Sequence, residues 1–394
     1  MKKRRPEDAP AEQALSGTIA IGTYDGALLV INAADGRQVF GYAPHIGCVK
    51  ALHCSNIGRM ASGGTDNVVR LFNVAKGVEL GELQEHEDTV SCLEFWGTTT
   101  LVTGGSDGQL CVWRCKDFEL LYKCKAHKTG ISSVSVHPSG RLAATAGKDA
   151  SIRLWDLSRG TNAAHLTIEA AADLVVWSPT GKALAVLGQK EVLLVDTATS
   201  AVAKYQDPAA SSFMLVPLTA VDFLSDDAML VGDGKGSLRV FTLASNDKAS
   251  LSQVCSLSRS QEGKSGPSGR VKAISRFPDS SGQAAGFFAV GMSTGSIDVW
   301  QCKSAATPAD SLTSSSFQCI RTIDTGARLT CLAVWAGTAQ SKSKEAEPQV
   351  TEGLKAELQP LTAADVGAKV TLEEDTPTNG VGQKKKRKKA TPKE

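Results

Sequence analysis

Apolar and polar residues alternate with a period of two along most of this chain, in short runs broken by Gly, Asp and Asn. That period marks half-buried β-strands, and the breakers mark tight turns between them. Three segments show the plan most clearly. Asp66-Asn-Val-Val-Arg-Leu-Phe72, Asp107-Gly-Gln-Leu-Cys-Val-Trp113 and Asp149-Ala-Ser-Ile-Arg-Leu-Trp155 each open on an aspartate, continue as an alternating strand and end on an aromatic residue six positions later. Weaker copies run from Asp25 to Ile31, Gln189 to Val195, Lys235 to Phe241 and Thr294 to Trp300. The strand ends fall at 31, 72, 113, 155, 195, 241 and 300, in steps of 40 to 42 residues and then of 46 and 59.

The unit at 86–124 gives the content of the repeat. His86-Glu-Asp-Thr leads into a strand, Val90–Trp96; 101–103 forms the second, 104–108 turns the chain, 110–113 forms the third and 120–124 the fourth. Seven units of short strands at this spacing predict an all-β chain folded as a seven-bladed β-propeller, each blade a four-stranded sheet. The first unit has three strands only, near 17–22, 26–31 and 37–41. One strand is left over at the far end of the repeats, Arg328-Leu-Thr-Cys-Leu-Ala-Val-Trp335, after a run at 317–323. Three plus one completes the seventh blade and pairs the two edges that an open ring would expose.

The propeller is therefore expected to occupy 16–336, between a disordered charged N-terminal segment, 1–15, and a disordered charged tail, 337–394. The longer steps mark insertions at 205–218, 256–269 and 304–316, the last two reading as mobile loops. The repeats that end at Val195, Phe241 and Trp300 depart most from the pattern, lacking the leading histidine and the hairpin aspartate.

These residues resemble WD repeats, with Trp155-Asp156 as the one literal WD dipeptide. A WD repeat carries a histidine ahead of its first strand, Ser or Thr on the second, Asp in the following hairpin and Trp on the third. His86, Thr103, Asp107 and Trp113 fit that pattern, as do His127, Thr145, Asp149 and Trp155. His45, Ser62 and Asp66 fit it with Phe72 in place of the Trp. The set reads as a structural relay, from indole N–H to hydroxyl to imidazole to carboxylate, in which each buried polar group meets a partner. The repeat with Phe72 lacks the first donor, so its relay should be shorter.

Charge changes the picture only at the ends. The 394 residues hold 43 Lys and Arg against 41 Asp and Glu, a net charge of +2, which argues against a wholly basic nucleic-acid binder. Residues 1–15 carry +1, 336–394 carry +2 and the middle carries −1. Residues 345–375 are acidic and polar, and Lys384, Lys385, Lys386, Arg387, Lys388 and Lys389 then form an unbroken basic run. Such a block stays solvated and suits nuclear import, nucleolar retention or contact with RNA phosphates. Lys2-Lys-Arg-Arg5 is a weaker second candidate. No apolar run is long enough for a membrane helix, and MKKRRPEDAP lacks the apolar stretch of a signal peptide. The ten cysteines show no C-x₂-C spacing, and Cys92, Cys111 and Cys331 lie within apolar runs, so buried reduced thiols are expected.

Signals that resemble catalysis have structural readings. Gly104-Gly-Ser-Asp-Gly108 and Gly291-Met-Ser-Thr-Gly295 match the G-x-S-x-G elbow, but that motif needs a strand-to-helix turn and both lie in hairpins of the repeat. Gly232-Asp-Gly-Lys-Gly236 is a hairpin turn, and Gly263-Lys264-Ser265 follows Ser258 where a phosphate loop has Gly. His45, His86 and His127 recur every 41 residues, so they fall in three different blades and do not converge on a metal. No catalytic residue, metal or cofactor is expected, and a closed ring needs no second copy, so the protein is expected to be monomeric.

Four further stretches stand out: 328–335, His137-Pro-Ser-Gly-Arg-Leu142 with Leu154-Trp155, Val175-Val-Trp177-Ser-Pro179 and Gly22-Thr-Tyr-Asp-Gly26. With them the chain resembles the PAK-interacting, MAK-type family of nucleolar WD-repeat proteins. The resemblance implies a non-catalytic scaffold in nucleolar assembly of the large ribosomal subunit. Its partners would be pre-ribosomal particle proteins, with pre-rRNA reached through the basic tail. It also implies negative regulation of PAK-type kinases through their regulatory region. The alternative class is a nuclear or cytosolic adaptor, such as a ubiquitin-ligase substrate receptor or kinase regulator.

Overall fold

Short apolar strands joined by Gly, Asp and Asn turns assemble into seven antiparallel four-stranded sheets. The structure is a computed structural model that describes residues 15, 17–197, 199, 201–206, 216–245, 249–257, 269–278, 286–303 and 312–337. The first strands among the described residues are β1 (Thr18–Thr23), β2 (Leu28–Asn32) and β3 (Gln38–Tyr42). Blade 1 is β4 (Val49–Cys54), β5 (Arg59–Gly64), β6 (Val69–Asn73) and β7 (Val78–Leu83). Blade 2 is β8 (Val90–Trp96), β9 (Thr100–Gly105), β10 (Gln109–Arg114) and β11 (Glu119–Lys125). Blade 3 is β12 (Ile131–Val136), β13 (Leu142–Gly147), β14 (Ser151–Asp156) and β15 (Thr161–Thr167). Blade 4 is β16 (Leu174–Trp177), β17 (Ala183–Leu187), β18 (Glu191–Asp196) and β19 (Val202–Gln206). Blade 5 is β20 (Leu218–Ser225), β21 (Ala228–Asp233), β22 (Leu238–Ser245) and β23 (Ala249–Leu257). Blade 6 is β24 (Val271–Arg276), β25 (Gly286–Met292), β26 (Ser296–Cys302) and β27 (Phe317–Asp324).

The last strand, β28 (Leu329–Trp335), returns to the start of the chain. It pairs antiparallel with β1, from Thr18 opposite Trp335 to Thr23 opposite Leu329, and blade 7 runs β28-β1-β2-β3. The ring is thus closed by hydrogen bonds between the two ends of the propeller, and neither end leaves an unpaired inner edge. Strand β28 touches β24 on one side and β4 on the other, so it completes the circle of inner strands.

Burial follows position within a blade. Second strands such as β9 and β21 are almost wholly buried, because both of their faces pack against neighbouring blades. Outer strands alternate, as in β7, or are exposed throughout, as in β15. The cores lie between blades. Between blades 7 and 1, Leu28, Val30, Phe40, Val49, Met60, Phe72 and Trp335 form one such layer. In six blades a β-bulge between the third and fourth strands falls just before the residue at the WD tryptophan position: Ile31, Phe72, Trp113, Trp155, Phe241 and Trp300. Bulges increase local twist and re-aim side chains, which suits a large side chain that must fill the space between diverging sheets. Blade 4, with Val195 there, has no such bulge.

The parts of the insertions at 207–215, 258–268 and 304–311 lie outside the described residues, as do 1–14 and the tail from 338 with its basic run. A short 3₁₀ turn, Ser314–Ser316, leads out of the third insertion into β27. Among the described residues, no helix is long and apolar enough to cross a membrane.

Candidate functional site: the histidine face and the channel

The relays lie at one face of the disc. That face carries the segments that lead into the inner strands and the hairpins between second and third strands. The relay residues hold these two kinds of loop together. In blade 2, Trp113 Nε1–H donates to Thr103 Oγ1 at 3.1 Å, His86 Nε2 lies 2.9 Å from the same hydroxyl, and His86 Nδ1 lies 3.1 Å from Asp107 Oδ2. Blade 3 repeats it: Trp155 Nε1 to Thr145 at 3.0 Å, His127 Nε2 to Thr145 at 2.9 Å and His127 Nδ1 to Asp149 at 2.9 Å. Blade 1 has the shorter version, with His45 Nε2 2.7 Å from Ser62 Oγ and Nδ1 3.0 Å from Asp66, and Phe72 buried where the indole would be.

Burial holds all three imidazoles below the usual histidine pKa, although the facing aspartates work in the other direction. Neutral rings define the proton order. Nδ1–H donates to the carboxylate, the Ser or Thr hydroxyl donates to Nε2, and the indole donates to that hydroxyl. The aspartates also accept backbone N–H groups, from Glu87 and Gln109 at Asp107 and from Lys128 at Asp149. Burial works to raise Asp149, but hydrogen bonds from Ser151 and His127 outweigh it and hold the carboxyl down at about 2.

One requirement of the relay escaped the sequence reading. The residue two before each aspartate is glycine: Gly64, Gly105 and Gly147. A Cβ at Gly105 would lie 2.7 Å from His86 Nδ1 and 2.5 Å from Asp107 Oδ1, and one at Gly147 would lie 2.1 Å from His127 Nδ1. Only a bare backbone lets ring and carboxylate meet there. The signal was present as a fixed Gly-x-Asp triplet in each complete repeat.

Blades 4 to 6 have no such relay among the described residues. Val186, Val231 and Val290 occupy the Ser/Thr position, judged by their pairing with Leu193, Arg239 and Asp298. The expectation that the repeat ending at Phe241 has no hairpin aspartate needs correction. Asp233 stands in that hairpin, two positions early, and accepts the N–H groups of Lys235 and Ser237 in place of an imidazole. The position two residues later is taken by Lys235, so spacing alone concealed it.

The inner strands β4, β8, β12, β16, β20, β24 and β28 surround a channel of about 430 Å³. Here the structure shows a second periodic set that the sequence reading missed. His53 Nδ1 accepts the Phe95 N–H at 3.2 Å, Glu94 accepts the Val136 N–H at 3.1 Å, and Ser135 accepts the Trp177 N–H at 3.3 Å. Asp222 accepts the Arg276 N–H at 3.0 Å. Each bond ties one inner strand to the next. Ser91 and Ser132 add links from the other end, donating to the carbonyls of Ile131 and Ala172. His53, Glu94 and Ser135 are 41 residues apart, a spacing visible in the sequence once the inner strands are known. Burial lowers the His53 pKa to about 4, raises Glu94 to about 8 and raises Asp222 to about 6.

The catalytic-looking motifs lie in hairpins. Ser106 sits between β9 and β10, and Ser293 sits between β25 and β26 with its Oγ accepting the Arg270 N–H. His137 packs edge-on against Trp177, and His165 lies on the exposed strand β15. Among the described residues, no three His, Cys, Asp or Glu side chains are placed to hold a metal ion. All ten cysteines are free thiols. Burial raises Cys92, Cys111 and Cys331 to about 12, so these three are not ready nucleophiles.

Comparison with known proteins agrees with this geometry. Residues 77–114 and 118–156 match the WD domain, G-beta repeat family. A zebrafish (Danio rerio) p21-activated protein kinase-interacting protein 1-like is 30% identical over 363 residues, covering 90% of this chain and 89% of its own length. The human (Homo sapiens) p21-activated protein kinase-interacting protein 1 is 29% identical over 295 residues, 74% of this chain and 67% of its own. A shorter match, 27% over 166 residues, is to Shk1 kinase-binding protein 15 of Schizosaccharomyces pombe, covering 40% of this chain and 48% of that protein. With seven blades, three histidine relays and this extent of similarity, the chain is a WD-repeat propeller that belongs to the p21-activated protein kinase-interacting protein 1 family.

Proposed function

We propose that this protein is a non-catalytic docking scaffold that acts in the nucleolus on assembly of the large ribosomal subunit. Its partners are proteins of the pre-ribosomal particle, and the basic run at 384–389 adds contact with pre-rRNA. The observation that carries the docking role is the closed ring itself. Inner strands tied blade to blade and loops pinned by buried relays fix a broad surface in one shape, which lowers the ordering cost of binding. The nucleolar assignment is supported by the family resemblance at 328–335 and by a cationic tail suited to import and to phosphate attraction. The test is depletion of the protein followed by measurement of free ribosomal subunits. The large subunit should fall relative to the small one, and an unchanged ratio contradicts the reading. Replacing 384–389 with alanines should reduce nuclear accumulation of a fluorescent fusion.

A second reading is that this chain also engages a PAK-type kinase, through the regulatory region that the family resemblance implies; relatives named for binding kinases support the kinase partner. Retention of the purified protein on an immobilised regulatory region, with release by an excess of free region, tests it.

A further inference from the structure

The ring closure brings together cations that are far apart in sequence. Blades 6, 7 and 1 are neighbours, with inner strands β24, β28 and β4 side by side. At the histidine-face end of these strands stand Arg270 and Lys272 from blade 6, Arg328 from blade 7 and Lys50 from blade 1. Arg270, Arg328 and Lys50 are exposed, and Lys272 lines the channel. Burial lowers the Lys272 pKa, and Arg270, Lys50 and Arg328 push it further in the same direction, so the four share one field. None of them forms an ion pair among the described residues, whereas Arg70, Arg114, Lys204 and Arg239 all do. The acids nearby are Asp25, in a turn, Asp324, at the end of β27, and Asp66, which is committed to His45.

Apolar surface adjoins this arc. Tyr24 is 53% exposed, with the Arg328 guanidinium 4.8 Å from its ring centre. Ile46 is 87% exposed on the next loop, and the two loops are joined by the His45 N–H to Gly26 carbonyl bond at 3.3 Å. An isolated exposed apolar residue needs no explanation, but two beside an unpaired cationic arc at the mouth of a channel form a composite surface. Elsewhere around the mouth the charge is mixed: Lys128 leads into β12 of blade 3, and acids stand in blades 2 and 4. Asp173 leads into β16, and Glu87 and Asp88 lead into β8.

We propose that this mouth is the docking site for a short acidic peptide segment of a partner protein, with an apolar side chain beside its carboxylates. The carboxylates meet Lys50, Lys272, Arg270 and Arg328, and the apolar side chain lies on Tyr24 and Ile46. The inference rests on the docking role above and names the chemistry of one partner. A peptide fits better than RNA because these four cations gather on three adjacent blades, with Glu87 and Asp88 flanking them in blade 2. A strand of phosphates crossing the mouth would run onto Asp173, Glu87 and Asp88, where like charge costs affinity.

The test uses the full chain and fluorescence anisotropy. The probe is a labelled peptide of about twelve residues that alternates pairs of glutamate with leucine. The comparison probes are the same peptide with glutamine for glutamate and an oligouridylate of similar length. The acidic peptide should bind, and its affinity should fall by about tenfold or more between about 50 and 500 mM salt. The exposed pair Lys50→Glu with Arg328→Glu should weaken it by a further factor of about ten or more. Lys272→Gln should weaken it less, and Lys148→Glu, in the β13–β14 hairpin of the same face, should leave it unchanged. An unchanged thermal midpoint shows that each variant is folded. No binding of the acidic peptide, equal loss with Lys148→Glu, or tighter binding of the oligouridylate would each overturn the proposal. If the Lys50/Arg328 variant fails to bind the peptide yet still joins its native complexes, the docking role stands and this site is not its contact.

Discussion

Trp300 and Val290 stand in blade 6 as Trp113 and Thr103 stand in blade 2, and the exchange of Thr for Val leaves the Trp300 indole N–H without an acceptor among the described residues. Trp300 is 7% exposed, so the donor is also cut off from solvent. Blade 5 resolved the same loss of hydroxyl differently, with Phe241 opposite Val231's strand and no donor to satisfy. The two blades therefore make one substitution informative.

Val290→Thr returns an acceptor to a waiting donor and is expected to be neutral or to stabilise the protein by up to about 1 kcal/mol. Val231→Thr buries a hydroxyl beside a phenyl ring and should destabilise by about 1–2 kcal/mol. Denaturant midpoints of the two variants check the difference, and an equal cost in both would show that the indole is satisfied some other way.

Thr145 is the centre of a complete relay, fully buried and bonded to both Trp155 and His127. Thr145→Val keeps the shape and strips a partner from two buried groups, at an expected cost of about 2–3 kcal/mol. Ser62→Ala in blade 1, where no indole donor exists, should cost less, about 1–2 kcal/mol. Equilibrium unfolding would measure both, and a larger loss for Ser62→Ala would contradict the indole-to-carboxylate order of the relay.

Glu94 in the channel wall has its carboxyl pKa raised to about 8 by burial. The folded state thus holds a proton that the unfolded chain releases near the ordinary glutamate value of about 4.3. The sign follows from linkage: this group favours the folded state at acid pH, and its contribution is lost as pH rises toward 8. The relay histidines act oppositely, since their lowered pKa costs stability as pH falls below the ordinary histidine value of about 6.5. Glu94→Gln retains an acceptor for the Val136 N–H and removes the ionisation. At pH 8 it should be more stable than the parent by on the order of 1 kcal/mol, with little difference at pH 5. Thermal midpoints across that range provide the check.

Ala150 has φ of 56° in the β13–β14 hairpin, where Gly108 and Asn67 take the same left-handed position in blades 2 and 1. A Cβ in that conformation costs roughly 1–2 kcal/mol, and the greater freedom of unfolded glycine offsets part of it. Ala150→Gly is expected to stabilise by about 0.5–1 kcal/mol, read from the denaturant midpoint. A loss of stability would show that the methyl group packs usefully in the hairpin.

What could be read from the sequence was what recurs at short range. His86, Thr103, Asp107 and Trp113 lie within one unit, and the same spacing returns at His127, so both the blade and its relay were visible in the chain alone. The closing blade was visible too, because 328–335 is a strand without a repeat around it. Less accessible were contacts set by the ring. Lys50 and Lys272 become neighbours only because β28 closes the circle between their strands, and no pattern in the chain links them. Asp233 was missed because its hairpin moved the aspartate two positions. Glu94 looked like one acid among many until its strand was known to face the channel.

The most direct measurement of the central claim is sucrose-gradient sedimentation of a nuclear extract, with the protein tagged at its N-terminus. The account predicts that it travels with precursors of the large ribosomal subunit and leaves them on RNase treatment at low salt. Sedimentation as free protein alone would contradict the account and make an adaptor role the leading one.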